Sequence, residues 1–146
     1  NSRMIPQLQT FLKINANLEN TVRAIDLCFG HNDLLAGNFI DDGRRLWLID
    51  WDYAGFNSPL FDLTNLASNN EFQEKLEQEL LEMYFEQTIS EDLWKRYFAM
   101  KCASLLREAM WSMVSEIHST LDFDYVKYTT NNFERFEKTF AQFEKL

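Results

Sequence analysis

The sequence predicts an α+β fold that is mostly helical, with one small β-hairpin near its start. Apolar residues recur at helical spacing through residues 3–18 and through most of residues 58–146, so that side chains three or four positions apart share a face. Between these regions, FIDDGRRLWLID holds two short apolar runs on either side of Asp41-Asp42-Gly43. That arrangement is typical of a hairpin with a tight turn.

Capping residues mark the helix boundaries in the second half of the chain. Ser58-Pro59 predicts an N-cap followed by proline in the first turn, with a helix over 59–68. An acidic amphipathic helix follows over 71–86, and Ser90 opens a long helix that LDFDY interrupts near 121–125. A last helix is predicted to bury phenylalanines spaced three, four and three apart: Phe133, Phe136, Phe140 and Phe143.

Composition limits the classes of protein to consider. The chain has 146 residues, of which 46% are hydrophobic and 15% aromatic, enough for one domain with a sizeable core. Its formal charge of −9 argues against nonspecific nucleic-acid binding, which relies on clustered lysine and arginine. No apolar run approaches the ~20 residues of a membrane span. Two distant cysteines without a CxxC motif predict neither zinc nor a disulfide framework, so we expect a cytoplasmic protein.

The segment CFGHNDLLAGNF and the following LIDWDY concentrate polar residues that suit phosphate chemistry. The hairpin should bring Asn38 and Asp50 within a rung or two of each other, since neighbouring strands lie ~4.8 Å apart. An amide oxygen and a carboxylate can share Mg²⁺, whose other positions take phosphate and water. Asp33 should face the same space, where a carboxylate can accept a proton from an attacking hydroxyl. His31 could hold the loop through hydrogen bonds to backbone carbonyls.

Each of these residues alone has an ordinary explanation. A His-x-Asp pair is usually a capping or loop group, Asn38 alone could be a turn residue, and Asp50 could pair with Arg44 or Arg45. The full order is much rarer by chance: His-x-Asp, four residues, Asn, a hairpin, then two apolar residues and Asp. The combination therefore favours a functional interpretation.

The motifs HNDLLAGNF, LIDWDYAG and PLFDL together resemble the C-terminal lobe of the aminoglycoside phosphotransferase and choline/ethanolamine kinase family, which has a protein-kinase-like fold. The resemblance implies phosphoryl transfer with ATP as donor and Mg²⁺ as metal. It implies that Asp33 is the catalytic base and that Asn38 and Asp50 are the metal ligands. It also implies that His31 organises the loop and that Asp62 braces it.

The chain departs from the protein-kinase pattern after Asp50. Trp51 and Asp52 replace the Phe and Gly of Asp-Phe-Gly, so the backbone is less free and we expect no flipping activation switch. Asp52 could reach the metal or the substrate, although a solvated acid is an equal alternative.

The sequence contains only four glycines, all in or beside the catalytic segment, and no glycine-rich loop that would cover ATP phosphates. We therefore expect a single C-terminal kinase lobe over 1–146, without the N-terminal nucleotide lobe. Its expected parts are a leading helix over 1–25, a catalytic loop and metal-binding hairpin over 26–57, and a helical substrate-binding subdomain over 58–146. Such a lobe should turn over little alone, and it should self-associate through the apolar face left by the missing lobe.

The resemblance also suggests the acceptor. In choline kinases, aromatic rings surround the quaternary ammonium, an attraction worth about 0.5–2 kcal/mol per ring. The positions that line up with those rings are Trp111, Phe123, Tyr125 and Tyr128. Aromatic residues at helical spacing are more often core residues, so both interpretations stay open.

Two positions weaken a strict match to choline kinases. Glu108 stands where those enzymes have another ring, and Asn69 stands where an acidic residue would contact the cation. Three hypotheses follow: a kinase of a small amino alcohol, choline or ethanolamine by preference; an aminoglycoside or other small-molecule kinase; and a catalytically incompetent lobe that acts as a binding module.

Overall fold

The computed structural model describes residues 2–23 and 26–146, so residues 1, 24 and 25 at the ends of the expected leading segment lie outside the described residues. The fold is mostly helical, with two small antiparallel sheets of two strands each. Short 3₁₀ turns lie at Ile5–Gln7 and Ala36–Asn38. The elements in chain order are α1 (Leu8–Val22), β1 (Cys28–Gly30), β2 (Phe39–Asp41), β3 (Leu46–Leu48), β4 (Gly55–Asn57), α2 (Pro59–Asn69), α3 (Glu74–Phe85), α4 (Glu91–His118) and α5 (Tyr125–Phe143).

The chain divides into two compact units. One combines residues 2–23 with residues 95–146, and the other holds residues 26–94. The first unit thus joins the leading helix α1 to α5 and most of α4. Phe11 of α1 stacks on Phe133 of α5 with ring centroids 5.3 Å apart. The sequence does not reveal this association, because its partners are more than a hundred residues apart.

The predicted hairpin is present. Phe39 of β2 pairs with Leu48 of β3 in antiparallel register. In the turn, the Asp42 carboxylate accepts hydrogen bonds from the Trp47 indole at 2.7 Å and from the backbone N–H groups of Arg44 and Arg45. These bonds lower the pKa of Asp42, the Trp47 bond most of all. The Asp42 side chain therefore stabilises the turn through three hydrogen bonds.

A second small sheet is an addition to the predicted fold. Strand β1 pairs with β4, so that Cys28 lies opposite Asn57 and Gly30 lies opposite Gly55. Each strand has only three residues, and the two are far apart in the chain. Neither a turn signal nor an alternating pattern could have indicated the pairing from the sequence.

The predicted helix boundaries in the second half of the chain agree closely with the structure, whereas the helical pattern of residues 3–18 corresponds to the 3₁₀ turn at Ile5–Gln7 and to α1 at Leu8–Val22. The Ser58 hydroxyl accepts the N–H of Leu60 at 3.2 Å to cap α2, and the Ser90 hydroxyl accepts the N–H of Leu93 at 3.1 Å at the start of α4. The acidic helix α3 begins at Glu74 and not at 71. The reason is that Glu71 has a left-handed backbone, with φ of 54°, which a helix cannot include.

The helices of the first unit bury the predicted apolar stripes. Phe133, Phe136 and Phe143 of α5 are buried, and Phe140 is half-buried. The buried apolar positions of α4 are Tyr97, Phe98, Ala99, Cys102, Leu105, Leu106 and Ala109. Core packing of this kind is the main source of stability for helices in water.

The longest helix, α4, has 28 residues. Charged residues recur along it, and throughout residues 2–23 and 26–146 we find no helix whose length and apolar character would suit a membrane crossing.

The two cysteines are free thiols in different environments, and this leads to a prediction of their reactivity. Cys102 is fully buried, and burial raises the pKa of its thiol to about 12. Since the thiolate is the reactive form, Cys102 should be inert in the native protein. Cys28 is half-buried on β1 and should react first.

We therefore expect a disulfide reagent at about pH 8 to modify one thiol per native chain quickly, and the second only after denaturant is added. A Cys28→Ser variant should lack the fast phase. Equal rates for both thiols in the native chain would contradict this assignment.

Candidate active site

Helix α2 holds the backbone of the loop that follows β1. The Asp62 carboxylate, in the first turn of α2, accepts the N–H of His31 on Oδ2 and the N–H of Asn32 on Oδ1, both at 2.7 Å. One turn later, Asn65 Oδ1 accepts the N–H of Leu34 at 2.6 Å. Hydrogen bonds to a carboxylate are stronger than neutral ones. These contacts support the bracing role predicted for Asp62.

Gly30 allows Asp62 to approach the loop. A Cβ atom on Gly30 would lie 2.8 Å from Asp62 Oδ2, closer than real Cβ atoms come to their neighbours. Any side chain at position 30 would therefore displace the carboxylate from the two N–H groups that it binds.

Asn32 connects the loop to the segment around β4. Its backbone is left-handed, with φ of 64°, a conformation that asparagine tolerates better than most residues. Its side-chain amide donates to the carbonyl oxygens of Tyr53 at 3.0 Å and Gly55 at 3.3 Å, and its Oδ1 accepts from Asn57 at 3.0 Å. Our sequence reasoning missed Asn32, because these partners lie more than twenty residues away.

His31 is 2% exposed and connects the loop to the hairpin. The N–H of Asp33 donates to its Nδ1 at 3.3 Å. Nδ1 is then an acceptor, so Nε2 carries the proton and donates to the Ile49 carbonyl at 2.8 Å. The Trp51 ring packs edge-on against the imidazole at 4.8 Å. This geometry supports the predicted role of His31 as loop organiser.

Asn38 lies at the end of the hairpin where the loop enters it. Its Nδ2 donates to the Asp33 carbonyl at 3.0 Å, and its own carbonyl accepts the N–H of Ile49 at 3.0 Å. The register places Asn38 level with Ile49, one residue before Asp50. Asp33, Asn38 and Asp50 thus belong to the same end of the hairpin, and no group in the described part of the chain donates a hydrogen bond to Asn38 Oδ1.

Asp50 has a left-handed backbone, with φ of 62°, and an exposed side chain. This conformation is uncommon for residues other than glycine, although aspartate and asparagine tolerate it better than most. The preceding residue, Ile49, is bound on both sides, by the Asn38 carbonyl and by His31. Strained residues of this kind are concentrated at functional sites. Arg45, considered above as a partner of Asp50, lies with its guanidinium 4.4 Å over the Trp47 ring.

The oxygen atoms at this end of the hairpin suit a metal ion that is bound together with phosphate groups. In residues 2–23 and 26–146, no group of three or more His, Cys, Asp or Glu side chains could hold a metal ion. Asn38 Oδ1 and the Asp50 carboxylate together offer one amide oxygen and one carboxylate. Mg²⁺ commonly takes one or two carboxylates together with phosphate oxygens and water. These residues therefore fit a Mg²⁺–nucleotide complex better than a free ion.

The two remaining polar residues predicted to contact substrate have different surroundings. Asn69 lies on α2, where its Nδ2 donates to Asn65 Oδ1 at 3.1 Å and to the Leu34 carbonyl at 3.5 Å. Those contacts give Asn69 a part in holding the loop. Asp52 is exposed to solvent two residues beyond Asp50. A substrate-binding role for either residue stays a prediction.

The four predicted acceptor rings come together in the first unit, and we call Trp111, Phe123, Tyr125 and Tyr128 the aromatic cluster. Tyr125 lies 6.1 Å from Trp111 and 4.9 Å from Phe123, and Phe123 lies 5.6 Å from Tyr128. Trp111 is 47% and Phe123 55% exposed. The rings therefore meet at the surface and not in the core, which weakens the alternative that they are only core residues.

Glu108 of α4 accepts a hydrogen bond from the Tyr128 hydroxyl at 2.9 Å. Burial raises the pKa of Tyr128, and the nearby negative charge of Glu108 raises it further. The phenol of Tyr128 is therefore neutral at physiological pH and remains a hydrogen-bond donor.

The family model described as "Phosphotransferase enzyme family" matches residues 4–98, more than half of the chain. The chain belongs to this family, and the match confirms the resemblance on which the sequence analysis relied.

Individual members of the family can also be aligned with this chain. Protein LicA of Haemophilus influenzae is 32% identical over 101 residues, which cover 65% of this chain and 38% of that protein. Ethanolamine kinase of Drosophila melanogaster is 31% identical over 149 residues, covering 82% of this chain and 29% of that protein. The chain thus spans well under half the length of these relatives.

Solved structures confirm the predicted fold class. A choline/ethanolamine kinase family protein from Mesorhizobium loti matches with a TM-score of 0.84 at 24% identity, over 95% of this chain and 48% of that one. The choline kinase LicA from Streptococcus pneumoniae matches with a TM-score of 0.72 at 26% identity, over 92% of this chain and 48% of that one.

The close approach of Asp62 to the loop can be tested by a pair of glycine substitutions. Gly30→Ala should destabilise the protein by about 1–3 kcal/mol, because its Cβ would collide with the carboxylate. Gly37→Ala is the matched control, since nothing lies within 4 Å of a Cβ at that position. Urea unfolding of both variants measures the difference. Equal stability of the two variants would contradict the contact.

Proposed function

We propose that the chain is the C-terminal lobe of an ATP-dependent phosphotransferase that acts on the hydroxyl of a small amino alcohol, choline or ethanolamine. The observation that carries the proposal is the loop and hairpin geometry. Asp33, Asn38 and Asp50 belong to one end of the hairpin, where backbone hydrogen bonds to Asp62 and His31 hold the loop.

Asp33 is the proposed base. Its side chain is half-buried, and both of its backbone polar groups are bound: the N–H by His31, and the carbonyl by Asn38 and by the N–H of Leu35 at 2.9 Å. A base held in this way can accept the proton of the substrate hydroxyl as the hydroxyl attacks the terminal phosphate of ATP. Binding of the backbone reduces the freedom that the carboxylate would otherwise lose at each turnover.

Asn38 and Asp50 are the proposed ligands of Mg²⁺. When bound with ATP, the ion would reduce the negative charge on the phosphates and so favour attack by an oxygen nucleophile. Asp52 is exposed nearby in the chain and is a further candidate to contact the metal or the substrate.

The aromatic cluster is the proposed site for the ammonium group of the acceptor. Rings attract cations through their π faces, and exposed rings are accessible to a ligand. Relatives that carry the names ethanolamine kinase and choline kinase support this choice. An aminoglycoside carries several ammonium groups and would need several carboxylates, whereas the cluster consists of four rings, one of which donates a hydrogen bond to the Glu108 carboxylate.

We also infer that the protein acts in the cytoplasm, where ATP is supplied and where thiols such as Cys28 and Cys102 stay reduced. We also propose that the chain self-associates through an exposed aromatic surface on the second unit. The centroid of the Phe29 ring lies 6.3 Å from that of Trp51 and 5.7 Å from that of Phe56. All three rings are exposed on the second unit.

The catalytic assignment predicts the effect of replacing Asp33. With Mg-ATP and ethanolamine or choline, Asp33→Asn should lower kcat by about 10²–10⁴-fold, the usual contribution of a general base. ATP affinity should change little, because the charge and not the fold is altered. Phosphorylated product and nucleotide binding should be measured for each variant.

Asp41→Asn is the matched control for this substitution. It removes a carboxylate from the same hairpin but keeps the Oδ1 atom that accepts the N–H of Gly43, so activity should persist. Full activity of Asp33→Asn would overturn the assignment of the base. Transfer to a kanamycin-type acceptor alone would favour the antibiotic-kinase alternative. Bound ATP without any transfer would favour a binding module.

Self-association can be tested at Phe56, which is 76% exposed. Sedimentation of the chain should show a dimer whose dissociation constant rises about tenfold or more in Phe56→Ser, because apolar contact area is lost. Met83→Ser is the control, since Met83 is 80% exposed on α3 of the same unit. A monomer at high concentration would contradict the proposal.

A further inference from the structure

The carboxylate of Glu108 lies beside the aromatic cluster. It accepts the hydrogen bond of the Tyr128 hydroxyl at 2.9 Å on Oε1. Glu108 also precedes Trp111 by three residues on α4, so the two side chains share a face of that helix. The Glu108 side chain is 23% exposed, which leaves it accessible to a ligand.

We propose that Glu108 makes the aromatic cluster selective for a primary ammonium over a quaternary one, so that ethanolamine is preferred to choline. This inference rests on the proposed function, in which the cluster binds the ammonium end of an amino alcohol.

The chemistry of the two cations differs in the partners that they require. A quaternary ammonium has no N–H group, so ring faces alone can surround it. A primary ammonium has three donors and is strongly hydrated, and rings cannot replace the water that it loses. A carboxylate beside the rings supplies a charge-assisted hydrogen bond and compensates for that loss.

The carboxylate of Glu108 has the capacity to accept such a bond. Carboxylates offer about four acceptor positions, and Tyr128 occupies one of them. The Oε2 atom lies 3.5 Å from the guanidinium of Arg107, a long contact in which Arg107 is 40% exposed. Solvent-exposed pairs of this kind are weak, so a bound ammonium can compete for the carboxylate.

A purely structural role for Glu108 is the main alternative, since it could serve only to fix Tyr128. Glu108→Gln separates the two roles. The glutamine carbonyl still accepts the Tyr128 hydroxyl, but the charge is gone. If Glu108 only anchors Tyr128, the variant should bind both amines as before.

The experiment is equilibrium dialysis of the 146-residue chain against labelled ethanolamine and, separately, labelled choline. We expect the unchanged chain to bind ethanolamine more tightly than choline. Glu108→Gln should weaken ethanolamine binding about tenfold, as expected for the loss of one charge-assisted hydrogen bond, and choline binding less than about twofold. Circular dichroism melts of each variant show whether the fold is kept.

Asp122→Asn is the matched control, because it removes an exposed carboxylate next to Phe123 in the chain. If proximity of any negative charge sufficed, this variant would weaken ethanolamine binding as much as Glu108→Gln, and the inference would fail. Tyr128→Phe is a second variant, which keeps the ring but frees Glu108 from its hydrogen bond. Because the Tyr128 hydroxyl also positions the Glu108 carboxylate beside the rings, its loss should reduce the preference for ethanolamine while choline binding persists.

The outcomes separate this inference from the proposed function. Binding of both amines with a ratio that Glu108→Gln leaves unchanged would overturn the role of Glu108 alone. Absence of binding for both amines to the unchanged chain would overturn the aromatic cluster as the acceptor site, and the selectivity of Glu108 with it.

Discussion

The Asp62 carboxylate is the contact on which the candidate site depends. It binds two successive N–H groups of the loop and is itself fixed by the first turn of α2. Removing it would leave both N–H groups without the acceptor that they now have, a cost larger than the usual net value of a hydrogen bond. The helix therefore sets the position of the loop, and the loop sets the positions of His31 and Asp33.

Further hydrogen bonds to backbone atoms connect the loop to the hairpin. His31 donates a hydrogen bond to the Ile49 carbonyl, next to β3. Asn38, which precedes β2, donates to the Asp33 carbonyl in the loop. The side chains of His31, Asn32 and Asn38 thus have structural partners, and Asp33 is held through its backbone N–H and carbonyl groups. Sites built in this way hold their reacting groups in place before the substrate arrives, which is the main requirement of phosphoryl transfer.

The sequence was sufficient where the determinants are local. The hairpin, the serine caps of α2 and α4, and the apolar stripes of α4 and α5 depend on residues only a few positions apart, and each is present. The pairing of β1 with β4 and the contacts of Asn32 were not predictable. Their partners are brought together only by the packed fold, and a three-residue strand has no pattern of its own.

The same distinction applies to the candidate site. The spacing of Asp33, Asn38 and Asp50 predicts one shared location. The register places Asn38 level with Ile49, which precedes Asp50, and the Asn38 amide donates to the Asp33 carbonyl. The bonds from α2 through Asn65 had no sequence signal, because an asparagine inside a helix usually faces solvent or the turn before it. Glu108 was noted only as a departure from a pattern, and its partner Tyr128 lies on another helix.

The left-handed backbone of Asp50 limits which amino acids can replace it. The proposed role as metal ligand requires a side chain with an oxygen atom, and the same residue must tolerate a conformation that β-branched side chains resist. Aspartate and asparagine meet both conditions, whereas glycine meets only the second. Divergent members of such a lineage should therefore exchange the acceptor pocket far more freely than this single residue.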